Sequence, residues 1–337
     1  MVNIALIGCG RIGQMHAANI AKHQLTNLTM VFDADEESAR KVAQLYGVKV
    51  GKTSAEIFDS ENIDGVLIAS ATSTHADFIE KAVFAGKPVL CEKPIDLDLG
   101  RVNQCAKQIS GTSIPIQIGF NRRYDPGHSG ARKAMLEGEI GDLHQVIITS
   151  RDPEIPSKTY LEGAGGLFRD MTIHDFDLAR FMLGEEPTEV FALANALGDP
   201  KLGAELEEVD SAMCILRTAS GKQCHINNSR KALYGYDQRV ELMGSNGMLI
   251  SGNRKPHELK RYGSTGVETS APYQFFFVER YSEAFMAEID GFVDCILNEK
   301  QPLSTFEDGR KALILAEAAY LSMHERRLVE VSEVDEY

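Results

Sequence analysis

Residues 3–16 read NIALIGCGRIGQMH: an apolar run, three glycines (Gly8, Gly10 and Gly13), then a helical pattern. Glycine-rich turns are common, so the spacing alone is a weak signal. Here it follows a predicted strand, opens a helix over QMHAANIAKH and starts a βαβ unit, which favours a nucleotide-phosphate cradle over a structural turn. Each glycine then has a task. Gly8 allows the tight turn, Gly10 lets the backbone approach a diphosphate, and Gly13 lets helix pack closely on strand, with Arg11 and Ile12 at the positive helix end. The second predicted strand ends at Asp33 of MVFDAD, about 20 residues on, where a carboxylate accepts hydrogen bonds from a ribose. That charge also repels a 2′-phosphate, and no arginine stands at 34 or 35. NAD is therefore expected over NADP, with Arg11 and Arg40 the two cations that argue the other way.

Outward from this unit, VNIALI, LTMVFD, GVLIAS, PVLCEKP and IPIQIGF alternate with helical patterns such as EESARKVAQLYG and HADFIEKAVFAG. Near-continuous apolar strands joined by helices predict a doubly wound parallel sheet, a Rossmann domain over 1–120. After Phe120 the rhythm changes to longer strand-like stretches, among them LHQVIITSRD, TEVFALANA and QRVELMGSNGMLISG, with SGK and SNG as hairpin turns. An open antiparallel sheet with helices on one face is expected over 121–337, making the chain α/β plus α+β. Helical patterns near 279–298 and 306–323 close it, the latter a candidate to pack back on the first domain.

The composition excludes several function classes. A chain of 337 residues, 43% hydrophobic, is long enough for two domains with real cores. Its net charge of −14 is spread along the sequence and opposes a polyanion, so no nucleic-acid partner is expected. No apolar run reaches the length of a membrane span and the N-terminus lacks a signal-peptide pattern, so a cytoplasmic protein is expected. The six cysteines include no CxxC pair and have no histidine at metal-ligand spacing, so they are read as reduced thiols and no metal is expected.

Three further residues suggest chemistry. Lys93 of PVLCEKP ends a predicted buried strand, the edge at which open α/β sheets bind ligands; the alternative is a lysine that only reaches solvent. In LFRDMTIHDFDLARFM, Asp170 and His174 stand four apart at the start of an expected amphipathic helix, hence on one face. The alternatives are a capping aspartate and a satisfied core histidine. Asp175 and Asp177 are read as dipole partners on other faces.

GCGRIG, EKP and GGLFRDMTIHDFDLARF together resemble the glucose-fructose oxidoreductase/inositol dehydrogenase (Gfo/Idh/MocA) family. NRRYDP, SRDP and YGYDQRVELMGSNGML extend the likeness over nearly the whole chain and point to its inositol branch. The resemblance implies an NAD-dependent oxidoreductase that oxidises a ring secondary alcohol of myo- or scyllo-inositol to the inosose, in myo-inositol catabolism. It also implies an outer sheet face that makes subunit contacts, most often in a homotetramer.

Carried over by motif, Lys93, Asp170 and His174 are the catalytic set, with His174 as base, Lys93 as donor to the reacting oxygen and Asp170 orienting the imidazole. Substrate contacts are expected from these three with Asn121, Arg123, Asp152 and Tyr236, although Arg123 fits equally a role holding domains together. Cofactor contacts beyond the glycine run are expected from Ala71, Thr72, His75, Glu92 and Lys93. In SATSTH, however, Ser73 stands where many relatives carry proline, which weakens Thr72 and His75. The same residues would also serve a dehydrogenase or reductase of another sugar or polyol. Readings of a different class are an NAD-assisted glycoside hydrolase and a silent NAD-binding regulator.

Overall fold

In the computed structural model residues 1–264 and 266–335 are described; position 265 and the last two positions of the expected second domain lie outside them. Strands β1 (Val2–Ile7), β2 (Thr26–Phe32), β3 (Lys49–Val50), β4 (Gly65–Ile68), β5 (Val89–Cys91) and β6 (Ile116–Ile118) form one sheet in the order β3-β2-β1-β4-β5-β6. Every pairing in it is parallel. The order reverses at β1, so the carboxyl ends of β1 and β4 flank the switch point where such sheets take ligands. Burial explains the strand composition: Ile4, Ala5, Leu6, Val66, Leu67 and Ile68 are fully enclosed, as strands covered on both faces must be.

The described residues divide into two compact units, Met1–Tyr124 with Glu283–Leu313, and Asp125–Ser282 with 314–335. The first boundary falls close to the expected one. The assignment of Glu283–Leu313 differs from the expected 121–337 domain, and its reason lies in the core. Ile289, Phe292 and Val293 of the helix Ser282–Asn298 are buried with Val2, Ile4 and Leu6 of β1. A Cβ on Gly65 would stand 2.8 Å from the tip of Ile296 and 3.0 Å from that of Phe292, so this helix lies close against β4 there. The last helix, Phe306–Glu325, has its first turns in the first unit and the remainder in the second.

The second unit is built on a seven-stranded sheet. It comprises β7 (Leu143–Arg151), β8 (Pro187–Asn195), β9 (Ser211–Thr218), β10 (Gln223–Ser229), β11 (Asp237–Gly244), β12 (Met248–Ser251) and the short β15 (Val329–Glu330). A separate exposed hairpin is formed by β13 (Lys260–Gly263) and β14 (Gly266–Ser270). The order β12-β11-β7-β10-β9-β8-β15 contains one parallel pairing, β10 with β7, so the sheet is mixed rather than wholly antiparallel. Hairpin signals reveal local antiparallel pairs, but β7 and β10 meet across more than seventy residues of intervening chain, and nothing local records their direction.

Alternation separates the two faces of this sheet. On β9, Ala212, Cys214, Leu216 and Thr218 are buried while Met213 and Ile215 are exposed. The helix Ile173–Leu183 packs on the buried face through β7 and β10. That helix is not amphipathic. Asp175, Asp177 and Arg180 are buried along with Phe176, Leu178 and Met182, and the polar groups are tolerated because they pair. Asp175 accepts from Asn228 Nδ2 at 2.8 Å, and Thr172 donates to Asn228 Oδ1 at 2.8 Å. Enclosed polar groups are retained when such partners exist.

Candidate active site

The glycine run supplies the first half of the site. Gly8 has φ +96°, and a Cβ there would stand 2.4 Å from the Ala69 and Ser70 backbone at the end of β4. A Cβ on Gly13 would stand 2.0 Å from the Gly8 carbonyl oxygen. Both positions are therefore closed to any side chain by backbone neighbours. Gly10 is different: it has an ordinary φ of −69° and nothing within 4 Å of its would-be Cβ. It precedes the helix Arg11–Lys22, whose first turn receives no side-chain cap from it. Open space above an uncapped helix N-terminus fits a diphosphate.

Asp33 closes this cradle as expected from its position. Its Oδ2 accepts from Cys9 N at 2.6 Å and its Oδ1 from Asp35 N at 2.8 Å, which fixes the carboxylate beside the glycine turn. Burial, and then the charge of Asp33, pushes the Cys9 thiol up to about 12, so it is an inert neighbour. Arg40 is paired with Glu36 at 2.6 Å on the solvent face of its helix. Arg11 is exposed at the helix start and Ile12 half-buried behind it.

The remaining expected cofactor contacts lie at the ends of β4 and β5. Ala71 is exposed and Thr72 half-buried in a 3-10 turn, braced by the Ser70–Thr74 hydroxyl pair at 2.7 Å. His75 is buried, its Nδ1 2.8 Å from the Pro94 carbonyl and its Nε2 3.0 Å from the Ser70 carbonyl. Burial lowers the His75 pKa and favours the neutral ring, whose single N–H donates to one of these two main-chain oxygens at a time. His75 thus sits between the two loops. Glu92 Oε1 meets His16 Nε2 at 2.6 Å, and the half-buried Lys93 follows before a cis peptide bond to Pro94.

Two expected substrate contacts also belong to the first unit. Asn121 is buried at the start of a 3-10 turn. Arg123 donates to the Leu303 carbonyl at 2.7 Å and to Asp308 at 2.9 Å. Through these bonds its guanidinium braces segments of one unit.

In the second unit, Asp170 lies in a π-helical turn, Phe168–Thr172, that runs directly into the α-helix carrying His174. Such i→i+5 turns recur at functional sites because they re-aim side chains within a continuous helix. Asp170 is held from both sides: Tyr160 Oη donates to Oδ1 at 2.9 Å and Arg230 Nη2 to Oδ2 at 3.0 Å. Arg230 is buried, and burial opposes its charge. The neighbouring Asp170 and Asp152 carboxylates outweigh that and raise its already high pKa, so it stays a cation. Asp152 is thereby drawn to the same cluster, its main chain bonded to Ser229 and Ala232 at 2.8 Å each. Tyr236 is buried, with its ring edge-on to Tyr281 at 6.1 Å.

Sequence reasoning missed Arg230 and Tyr160. Arg230 does carry a usable signal, because it follows the carboxyl end of a buried strand in NNSRK, as Lys93 does in LCEKP. Tyr160 carries none. Among the described residues no group of acidic, histidine and cysteine side chains could hold a metal, and no helix is long and apolar enough to cross a membrane.

A doubly wound sheet with this glycine cradle and an aspartate just after its second strand has the form of a dinucleotide-binding domain. Residues 2–120 match the oxidoreductase family with an NAD-binding Rossmann fold, and residues 128–250 match the GFO/IDH/MocA C-terminal domain. The chain belongs to the Gfo/Idh/MocA family and binds NAD through its first domain. It is 44% identical to an inositol 2-dehydrogenase of Rhizobium meliloti over 98% of this chain and 99% of that one. A myo-inositol dehydrogenase structure from Corynebacterium glutamicum superposes with TM-score 0.94 at 41% identity, covering 98% of both chains. A scyllo-inositol dehydrogenase from Lactobacillus casei, solved with NAD(H) and scyllo-inositol, superposes with TM-score 0.91 at 29% identity, covering 98% of this chain and 99% of that one.

Proposed function

We propose that the chain is an NAD-dependent inositol 2-dehydrogenase, oxidising a ring secondary alcohol of myo- or scyllo-inositol to the inosose. The observation that carries this is the Asp170 carboxylate, fixed by a buried arginine and a tyrosine just before His174 in a chain built to hold NAD. Similarity to inositol dehydrogenases supplies the substrate class.

Bound NAD supplies the hydride acceptor. The residues of the chain manage the proton and the hydroxyls. His174 takes the hydroxyl proton, the general-base role that an imidazole is suited to. Lys93 donates to the same oxygen and stabilises the developing alkoxide. Asp170, itself locked, orients the imidazole and favours its cationic form once it carries the proton. Asp152, Tyr236 and Asn121 serve the remaining hydroxyls, since each buried hydroxyl left unpaired costs about 1–3 kcal/mol. Gly8, Gly10, Arg11, Ile12, Gly13, Asp33, Ala71, Thr72, Glu92 and Lys93 hold the cofactor.

The exposed face of the second sheet supports a homo-oligomer, with the tetramer as the expected form. Leu193, Met213, Ile215, Ile147, Met243 and Ile250 present a broad apolar surface of the kind that marks subunit contacts. Six buried thiols free of disulfides support a reducing cytoplasm, and a role in myo-inositol catabolism is the expected setting for an inositol substrate.

The test is a panel of myo-, scyllo- and chiro-inositol and simple hexoses, each scored for NADH and NADPH formation. NADH from myo- or scyllo-inositol, in excess of that from any hexose, is expected. NADH from a hexose alone would transfer the assignment to another sugar, and release of free sugar from a glycoside without net NADH would make the chain a hydrolase.

A further inference from the structure

Four segments distant in sequence meet around one buried ion pair of the second unit. Asp125, from NRRYDP, caps the helix Pro126–Leu136, its Oδ1 accepting from Gly127 N at 2.9 Å and His128 N at 3.0 Å. Its Oδ2 accepts from Arg280 Nη1 at 2.6 Å, and each of the two side chains is 1% exposed. Desolvation offsets the attraction of so enclosed a pair, which makes it weak evidence for stability, but it does hold the guanidinium in one direction. Arg280 Nε then donates to Asn253 Oδ1 at 3.1 Å, two residues past β12. The same Oδ1 accepts from Arg254 N at 2.9 Å. Both neighbours of Oδ1 can only donate, so the amide stands one way round, with Nδ2 donating to the Tyr236 carbonyl at 2.8 Å.

Tyr236 is thereby tied at both ends of its main chain, since its N–H donates to the Gln274 carbonyl at 2.9 Å. The residue before it, Gly235, has φ +113°, and a Cβ there would stand 2.7 Å from the Tyr273 carbonyl oxygen. A glycine leaves the entry to Tyr236 permissive, so the direction of the next residue must come from elsewhere. The two main-chain hydrogen bonds supply it. The ring itself lies edge-on to Tyr281, whose hydroxyl donates to Gln238 Oε1 at 3.3 Å and whose face is covered by the Arg280 guanidinium at 4.6 Å. Arg280 therefore acts on Tyr236 by two routes, through Asn253 on the backbone and through Tyr281 on the ring.

We propose that Asn253, held by the Asp125–Arg280 pair, is a positioning residue for Tyr236: it fixes the peptide that carries the tyrosine, and so the hydroxyl offered to the polyol. The inference rests on the reading of Tyr236 as a substrate contact. It also gives Asp125 of NRRYDP a task that the reading of the site had left open.

The test uses the whole chain with saturating NAD and myo-inositol, or scyllo-inositol where that is the better substrate. Asn253→Asp keeps the acceptor for Arg280 and Arg254 and loses the donor to Tyr236, while Tyr236→Phe loses the hydroxyl itself. In each, KM for the inositol is expected to rise about tenfold with kcat within about threefold, because a contact made equally in ground and transition states acts on KM. Inositol affinity of the NADH complex, read by NADH fluorescence, should fall by the same factor. The double variant should have a KM no higher than that of Tyr236→Phe alone, since Asn253 acts through that side chain. Ser251→Ala is the control: it removes the hydroxyl 2.8 Å from His128 Nδ1, in the arm of this cluster that does not reach Tyr236, and should lower Tm with KM unchanged. A raised KM in Tyr236→Phe beside a wild-type KM in Asn253→Asp would overturn the positioning role alone. Additive effects in the double variant, or an equal rise in Ser251→Ala, would reduce it to general loosening. A wild-type KM in Tyr236→Phe would overturn the substrate-contact reading and this inference with it. If Asn253→Asp fails to fold, Asn253→Ala, which introduces no charge, is read in its place against the same outcomes.

Discussion

The cofactor cradle and the carboxylate–histidine turn are built by opposite means. In the cradle the chemistry is main chain: Gly8, Gly10 and Gly13 lie within six residues, backbone fills the side-chain place at Gly8 and Gly13, and open space lies at Gly10. In the π turn the chemistry is side chain. Asp170 is held by Tyr160, ten residues before it, and by Arg230, sixty residues after it. A site made of consecutive backbone can be read from a motif. A site made of side chains gathered by a sheet reveals its reacting groups and conceals their supports.

That contrast can be broken or sharpened by substitution. The largest effect is expected from Lys93→Ala, which removes the donor to the reacting oxygen. kcat should fall about 10²–10³-fold with NAD affinity reduced much less, checked by steady-state kinetics beside a binding titration. Arg230→Met comes next. It leaves a half-buried carboxylate without its cation, and a loss of about 3 kcal/mol of stability is expected by denaturant unfolding, with kcat lowered through a misplaced Asp170.

Within the cradle the glycines should separate. Gly13→Ala drives a methyl into the Gly8 carbonyl and should cost about 1–3 kcal/mol of stability. Gly10→Ala meets no protein atom, so Tm should hold while NAD affinity falls about tenfold. Equal Tm losses for the two would remove the distinction between a packing glycine and a ligand-facing one. The smallest effect is expected from Asp33→Ala, which should relax discrimination against NADP by about tenfold in kcat/KM, near 1.4 kcal/mol. An unchanged preference would remove Asp33 from cofactor choice.

Much of the first unit was legible because parallel strands buried on both faces are apolar throughout and end in recognisable turns. Asp33 could be placed by its distance from the glycines, and Asp170 and His174 by their spacing. The assignment of Glu283–Leu313 to the first unit was not legible, since Ile289, Phe292 and Val293 look like any helix core until β1 and β4 are beside them. The amphipathic reading of the His174 helix failed because Asp175 and Arg180 count as solvent-seeking in a sequence pattern, yet here are enclosed with partners. His75 and Arg123 sit in motif positions that attract a functional reading. In the structure His75 lies between the Ser70 and Pro94 carbonyls, and Arg123 donates to Leu303 and Asp308. A motif identifies which residues are polar at an edge, while only packing decides whether they face a ligand or a carbonyl.

The central proposal is that this chain, which binds NAD, uses His174 to take a proton from an inositol hydroxyl. The most direct measurement is His174→Ala, with NAD affinity by titration calorimetry set beside NADH formation from myo- and scyllo-inositol. The account predicts wild-type affinity for NAD and a loss of turnover of about 10²–10⁴-fold. Wild-type turnover in that variant would contradict it.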